Sequence, residues 1–391
     1  MMNRNYDVVI IGGGVQGLSL AYNLAKNGAG KIAVFEKSYI GSGASSRNGE
    51  MLRSAFASKE WIRFFDKSLQ LWETLASELD FNVMYTRCGY LILASTPNEF
   101  ELCRTNVKTQ QSFGLKTQLL TSTDVRRLIP AINPEMAAGG ILQKNGGFAR
   151  HDAVVWAYAR AAKRRKVDIF PFTEVTDIRI ESDRVKSVAT TQGEFSADRV
   201  VNAAGGHAAK VAAMVGITLP SKTYRLEMIA TEPLKPFLRP MVASLNTMSY
   251  MHQTTRGEFV GGAETSDLPP AKSLKNTLVA AQDMARKFVR LFPGLGGVRL
   301  MRQWAGIVDM TPDVAPLLGP VKNVDGYILN CGWVYGFVGA PAAGYLLAQY
   351  ILSGHAPAEI QPFNIERFER GELIIDRSLV VPSKAEKGVA S

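Results

Sequence analysis

Hydrophobic and polar positions along this chain follow two periods, and the first clear element is apolar without a break: Val8-Val9-Ile10-Ile11, four β-branched residues. Such a run reads as a strand buried on both faces. Leu18 to Lys26 then carry helical spacing, and Lys31-Ile32-Ala33-Val34-Phe35 read as a second buried strand. Further helices are expected from about Lys59 to Leu79, Ser122 to Leu128, near Asp152 to the basic run Lys163-Arg164-Arg165-Lys166, Leu274 to Leu291, and Ala340 to Leu352. The segments around Gly89 to Ala94, Tyr224 to Ala230, Tyr250 to Gln253 and Glu258 to Gly262 read as strands of a second sheet. At 391 residues the chain exceeds the size at which one core keeps growing, so two structural units are expected.

Between the first strand and helix stands Gly12-Gly13-Gly14-Val15-Gln16-Gly17, with the G-x-G-x-x-G spacing at Gly12, Gly14 and Gly17. Glycine at the first position permits a tight turn, at the second lets the backbone approach a pyrophosphate, and at the third lets helix pack closely on strand. The pyrophosphate is then expected on the helix N-terminus. Glu36, at the end of the second strand, is placed to accept hydrogen bonds from ribose hydroxyls and to repel a 2′-phosphate. Two later strands also run into small residues. Arg199 to Ala204 leads into Gly205-Gly206, and Tyr327 to Cys331 leads into Gly332, Gly336 and Gly339. Three such elements point to a long ligand stretched across one sheet, and FAD has that length.

Composition narrows the picture only a little. The net charge of +10 comes from scattered residues, and the one dense run, 163–166, complements a helix C-terminus. No nucleic-acid-binding motif accompanies it, although an anionic substrate or acidic partner would use the excess charge. Cys88, Cys103 and Cys331 are too far apart for a disulfide framework or a metal site, and no metal ligand is expected. The chain enters its first strand without a hydrophobic leader, and its apolar stretches are broken well short of about 18 residues. A cytoplasmic protein without a membrane span is therefore expected, with a loose tail at 381–391.

The opening motif, Gly41-Ser42-Gly43-Ala44-Ser45, Val200 to Gly206, Trp304-Ala305-Gly306, Thr311-Pro312-Asp313, Pro316-Leu317-Leu318-Gly319 and the closing Glu366 to Leu373 together resemble the sarcosine oxidase β-subunit family, within the D-amino acid oxidase-like flavoproteins. The resemblance implies an α/β fold. A Rossmann-type FAD-binding domain would be assembled from 1–80, 145–220 and 300–380, with a second, mixed-sheet substrate domain from 81–144 and 221–299. It implies FAD contacts from Glu36, Lys37, Ser42, Ser45, Arg47, Asn48, Ala204, Gly205, Gly332, Gly336, Phe337 and Val338, besides Gly12, Gly14 and Gly17. Gly146 to Arg160 is similar to the heterotetrameric β subunits, where a histidine at the place of His151 carries a covalently attached FMN between subunits. Read from the residues alone, His151 is a polar residue at a helix start, with Asp152 supplying N-terminal charge. Partner subunits of α type, and smaller ones, are implied with it.

Oxidation of an amine next to a carboxylate needs an anchor for the carboxylate and a C–H aimed at the flavin. Arg53, after the apolar pair Met51-Leu52, is the expected anchor, its alternative being a surface salt bridge. Tyr250 and His252 share one face of a strand and are expected to meet the ligand together, His252 positioning the amine. Trp304, Trp333 and Tyr335 either wall the pocket or fill core. The family's lysine near the flavin is replaced by Val338, which argues for a bulkier secondary amine than sarcosine and for electrons leaving through FMN and a partner. Two other functions fit the same motifs: a self-contained D-amino acid dehydrogenase holding FAD alone, and a flavin-binding electron-transfer or assembly subunit without catalysis.

Overall fold

The computed structural model describes residues 4–263 and 273–378. The expected tail, 381–391, lies outside them.

The buried run at the start is the strand Asn5–Ile11, centred in a sheet whose order is Leu317–Pro320, Tyr327–Cys331, Gly193–Asn202, Asn5–Ile11, Ile32–Phe35, Asp168–Phe170. The four strands from Tyr327–Cys331 to Ile32–Phe35 run parallel, as does Asp168–Phe170, so their C-terminal ends open on one edge. In such a sheet ligands bind in the crevice beyond those ends. A hairpin, Val175–Glu181 with Arg184–Thr190, extends from Gly193–Asn202.

The helix Val15–Lys26 begins three residues earlier than the apolar spacing indicated, because the Ser45 hydroxyl accepts the Val15 N–H at 2.9 Å and closes the first turn from outside the helix. Gly17 lies within that turn, and a Cβ there would overlap the Gly12 carbonyl oxygen. This helix packs on Gly336–Ser353, also longer than expected: Gly336 and Gly339, read as loop, form its first turn. Ser19 donates to the Ala340 carbonyl at 2.9 Å, and at Gly344 a Cβ would meet Ser19, so the two helices touch backbone to backbone.

The second sheet has eight strands in the order Leu300–Met310, Lys222–Thr231, Phe259–Ala263, Ser249–Gln253, Met241–Ser244, Tyr90–Ala94, Gly139–Gln143, Thr117–Thr121. All pairs are antiparallel except Met241–Ser244 with Tyr90–Ala94, which makes the sheet mixed. Leu300–Met310, expected with the first sheet, pairs with Lys222–Thr231 along its whole length and forms the edge of this one. The helix Pro97–Ser112 escaped the periodicity because its apolar stripe is thin; its start is nevertheless written in the sequence as a capping box, Thr96 and Glu99, with proline at the first helical position. The helix expected from Leu274 starts at Leu278, where Thr277 caps it. Between the sheets, the short ladder of Met51–Leu52 with Gly147–Phe148 carries the segment on which the site depends.

Candidate active site

A cavity of about 800 Å³ lies between the two sheets, within the usual range for a cofactor or ligand site. One end is the nucleotide motif. Gly12, at φ +117°, has no room for a Cβ against the Ala203 backbone, and at Gly14 a Cβ would stand 2.9 Å from Ser45 Oγ. Glu36 is buried behind this turn and accepts the Gly13 and Ser38 N–H groups, each at 2.9 Å, and the Ser42 hydroxyl at 3.2 Å. Its carboxylate therefore also braces the loop that was expected to face only a ribose. Lys37 reaches His207 at 2.6 Å on the neighbouring wall.

Ser42, Ser45, Arg47, Asn48, Ala204, Gly205, Gly336, Phe337 and Val338 line the same cavity. Arg47 holds the carbonyls of Ser42 and Gly43, while Trp304 donates to the Arg47 carbonyl at 3.1 Å. Val338 lines the cavity, and its carbonyl takes Ser68 Oγ and Trp72 Nε1. Gly17 and Gly332 stand behind the wall: Gly17 is a packing glycine, and Gly332, at φ +73°, turns the chain and donates its N–H to Asp309 at 2.9 Å. Trp333 and Tyr335 both line the cavity.

At the other end stands Arg53, only 3% exposed. It is no surface salt bridge. Its guanidinium carbon lies 4.1 Å from the Phe56 ring centre, 5.2 Å from that of Tyr90 and 5.6 Å from that of Tyr335. Among the described residues its hydrogen bonds go to the carbonyls of Ala55 and Ser378, both at 3.3 Å, and its Nε has none. Among the described residues no carboxylate comes within 4.0 Å of it. A buried cation so poorly neutralised fits an anionic ligand.

Tyr250 joins Arg53 in the cavity wall, its ring against Gly49, and burial pushes its phenol up to about 12. His252 does not line the cavity. It is 1% exposed, stacked on Phe148 with ring centres 4.5 Å apart, and neither ring nitrogen has a hydrogen-bond partner. Burial lowers it to about 4 despite Glu50 nearby, so it is neutral. The shared strand face turns both residues toward segment 47–53, but Tyr250 meets that segment at its open part and His252 at its covered part. The expected contact of His252 with an amine is thereby corrected.

The covering residue is Glu50, which sequence reasoning missed. Its backbone is left-handed, φ +63°, held by Asn48 Oδ1 accepting the Glu50 N–H at 2.7 Å and by the Ala149 N–H donating to its carbonyl at 3.1 Å. The buried carboxylate accepts the His151 N–H at 3.2 Å and lies 2.9 Å from His151 Nδ1, 3.5 Å from Arg150 Nε and 3.8 Å from His252 Nε2. Burial alone would raise it; the close contact with His151, with Arg150 nearby, outweighs that and leaves it below the ordinary carboxylate value. His151 is the first residue of the helix His151–Arg164, with Arg150 at the cap position, so His151 does not cap it. Glu50, His151 and Asp152 offer three ligand atoms within 4.8 Å of one another, but Arg150 Nε already stands 3.5 Å from both acids and supplies the positive charge. Nothing local in the sequence links Glu50 to a partner 101 residues away.

Asp309 and Asn330 were also missed. Both line the cavity with a buried atom, Oδ1 and Nδ2 respectively, that has no hydrogen-bond partner, and burial holds the Asp309 carboxyl above the usual range. With Gln16 Oε1 and Tyr335 Oη they are unpartnered buried polar atoms beside the glycine turn, groups that a long polar cofactor would satisfy.

Comparison with known proteins agrees with this geometry. Residues 7–350 match the family model described as FAD dependent oxidoreductase. The chain is 36% identical to sarcosine oxidase subunit beta of Rhizobium meliloti over 95% of its own length and 91% of the relative's. It is 33% identical to the subunit of the same name from Rhodobacter capsulatus, over 95% and 90%. Among solved structures, L-proline dehydrogenase from P. horikoshii superposes with a TM-score of 0.91 at 30% identity, covering 95% of this chain and all of the other.

Proposed function

This chain belongs to the family of FAD-dependent oxidoreductases, in its sarcosine oxidase β-subunit branch, and we propose that it is the β-type catalytic subunit of a hetero-oligomer that oxidises a carboxylate-bearing secondary amine to an imine. It is a flavin-dependent oxidoreductase acting on CH–NH bonds. Catalysis excludes the reading in which the flavin is only structural.

FAD supplies the acceptor for the hydride equivalent lost from the carbon next to nitrogen. The glycine turn at Gly12 and Gly14, the loop braced by Glu36, and the unsatisfied Gln16, Asp309 and Asn330 are the groups that would hold it. Arg53 grips the substrate carboxylate, and this residue carries the reading: it is a buried cavity cation with no carboxylate within 4.0 Å among the described residues. Tyr90, Tyr250 and Tyr335 around it form an apolar, aromatic wall that excludes water from the reacting carbon and accommodates an N-alkyl group or an imino-acid ring. Val338 leaves that wall uncharged where the family has a lysine, in keeping with a bulkier amine.

His151 would hold a second flavin, FMN, through contact with the ring or a bond to it, and that flavin would supply a route for electrons from FAD toward a partner subunit. The imidazole suits this: its Nδ1 is buried against Glu50, and its side chain is 18% exposed, so the edge away from Nδ1 meets what docks from outside. The enzyme works in the cytoplasm; no helix among the described residues is long and apolar enough to cross a membrane.

The test is to purify the chain with its native partners, precipitate it with acid, and identify the flavins in pellet and supernatant. The native complex is then mixed anaerobically with N-alkyl and imino acids and with the same amines lacking the carboxylate. Expected are FAD in the supernatant, FMN in pellet or supernatant, and bleaching by the carboxylate-bearing amines. FAD alone, with no partner recovered, would replace this reading by the self-contained D-amino acid dehydrogenase.

A further inference from the structure

We propose that Glu50 is a positioning residue for His151: it fixes the imidazole in the tautomer that carries its proton on Nδ1, leaving Nε2 unprotonated and turned toward the partner-facing surface. The inference rests on the reading of His151 as the FMN site.

The argument begins with how Glu50 is held. A non-glycine residue at φ +63° carries backbone strain and persists only where its surroundings impose it. Here they do so from two sides, through the Asn48 side chain and the Ala149 N–H. The conformation sends a carboxylate inward to 3% exposure, where its Oε1 stands 2.9 Å from His151 Nδ1, in close charge contact though off the line of a hydrogen bond. A carboxylate is an acceptor only, so the nitrogen facing it is the one that bears hydrogen. Histidines that present one nitrogen to a cofactor are commonly fixed in this way, with the other ring N–H held by a carboxylate that sets both tautomer and orientation.

The same contact could serve only to anchor the helix, since Glu50 also accepts the His151 backbone N–H at 3.2 Å. That role would need one hydrogen-bonding oxygen at the helix start. It would not need Arg150 Nε at 3.5 Å from that same oxygen or His252 Nε2 at 3.8 Å from the other, nor an imidazole nitrogen brought as close as the backbone N–H. With Nδ1 engaged, the ring cannot turn its proton outward, so a flavin approaching from the subunit interface meets a lone pair.

Histidine is rare enough here to make the test direct, because the whole chain contains four. The native complex labelled with 15N-histidine, and its flavin-free form, would be examined by NMR, with H151N assigning the His151 signals. Glu50→Gln keeps an oxygen for the backbone N–H but removes the charge. In the wild type His151 is expected as the Nδ1–H tautomer; in E50Q a mixture of tautomers is expected, with FMN retention at least tenfold lower after gel filtration or acid precipitation. Glu50→Asp should recover part of both, and thermal unfolding shows whether each variant is folded. Wild-type His151 protonated on Nε2, or an unchanged tautomer and unchanged FMN in E50Q, would overturn the role of Glu50 while leaving the FMN site standing. A wild-type complex that carries no FMN at all would overturn the FMN reading itself, and the assignment of Glu50 with it. If E50Q does not fold, the wild-type tautomer alone decides.

Discussion

Arg53 and Arg367 are buried to nearly the same depth, 3% and 1% exposed, and differ in how their charge is met. Arg367 makes two bonds to Asp313, at 2.8 and 2.9 Å, and donates to the carbonyls of Ala315, Pro316, Phe363 and Asn364. Arg53 has two long bonds to carbonyls, three aromatic rings and no acid among the described residues. Burying a charge costs several kcal/mol, and a fold recovers that only with good geometry and satisfied donors. Arg367 is repaid inside the protein and ties the loop after Leu300–Met310 to the closing segment. Arg53 is repaid only when an anion arrives. Function is therefore read better from what a buried charge lacks than from its burial.

Cutting the satisfied arginine should hurt most. Arg367→Met leaves Asp313 buried without a partner and is expected to lower stability by about 3–5 kcal/mol, read from urea unfolding, while the molecules that remain folded reduce their flavin at the normal rate. Arg53→Met should reverse the pattern. The rate constant kcat/KM for a carboxylate-bearing amine is expected to fall about 10³-fold, roughly 4 kcal/mol, with thermal stability unchanged or higher. Equal losses for the substrate and for the same amine without its carboxylate would break the contrast between the two residues.

The contrast also marks how far the sequence could be read. The glycine turn, Glu36 and the first parallel strands were legible because they rest on local spacing, and so were Asp313 and Arg367 as motif residues. Their pairing was not legible: it joins positions 54 residues apart through side chains alone. Arg53 was legible as a residue type in a suitable place. That no acid among the described residues accompanies it is a property of the packing, invisible until the surrounding strands are assembled. Glu50 was missed for the opposite reason, since its partners His151 and His252 come from two distant segments brought together by the Met51–Leu52 ladder with Gly147–Phe148.

His252 extends the comparison to a buried group that avoids charge altogether. Burial, with Arg150 adding to it and Glu50 opposing, lowers it to about 4, against about 6.5 in an unfolded chain. The unfolded state therefore binds a proton as pH falls below about 6.5, and the folded state does so only near 4. Stability should decline across that window by up to about 3 kcal/mol. Glu50, whose carboxyl is held below its ordinary value, adds a loss in the same direction at lower pH, as the folded carboxylate is finally protonated. His252→Gln should remove the upper part of the slope, so that the difference in unfolding midpoint between pH 7 and pH 4.5 shrinks. An unchanged slope would mean that His252 is charged in the folded protein.

The smallest effect tests the same accounting on a neutral group. Tyr335 is half-buried in the cavity wall, its ring centre 5.6 Å from the Arg53 guanidinium, and its buried hydroxyl has no hydrogen-bond partner among the described residues. A buried hydroxyl left unpaired costs about 1–3 kcal/mol, and replacing it by an apolar group of the same shape is close to neutral or stabilising. Tyr335→Phe is therefore expected to hold or raise the stability of the flavin-free, substrate-free protein by about 1 kcal/mol. Once a carboxylate occupies Arg53, the hydroxyl has an acceptor nearby, and the variant should bind acetate or another small carboxylate several-fold more weakly in a flavin absorbance titration. Gain without ligand and loss with it, in one substitution, is the signature of a wall built to be completed by what it binds. A variant that is weaker in both states would instead make Tyr335 a core residue and leave Arg53 to hold the anion alone.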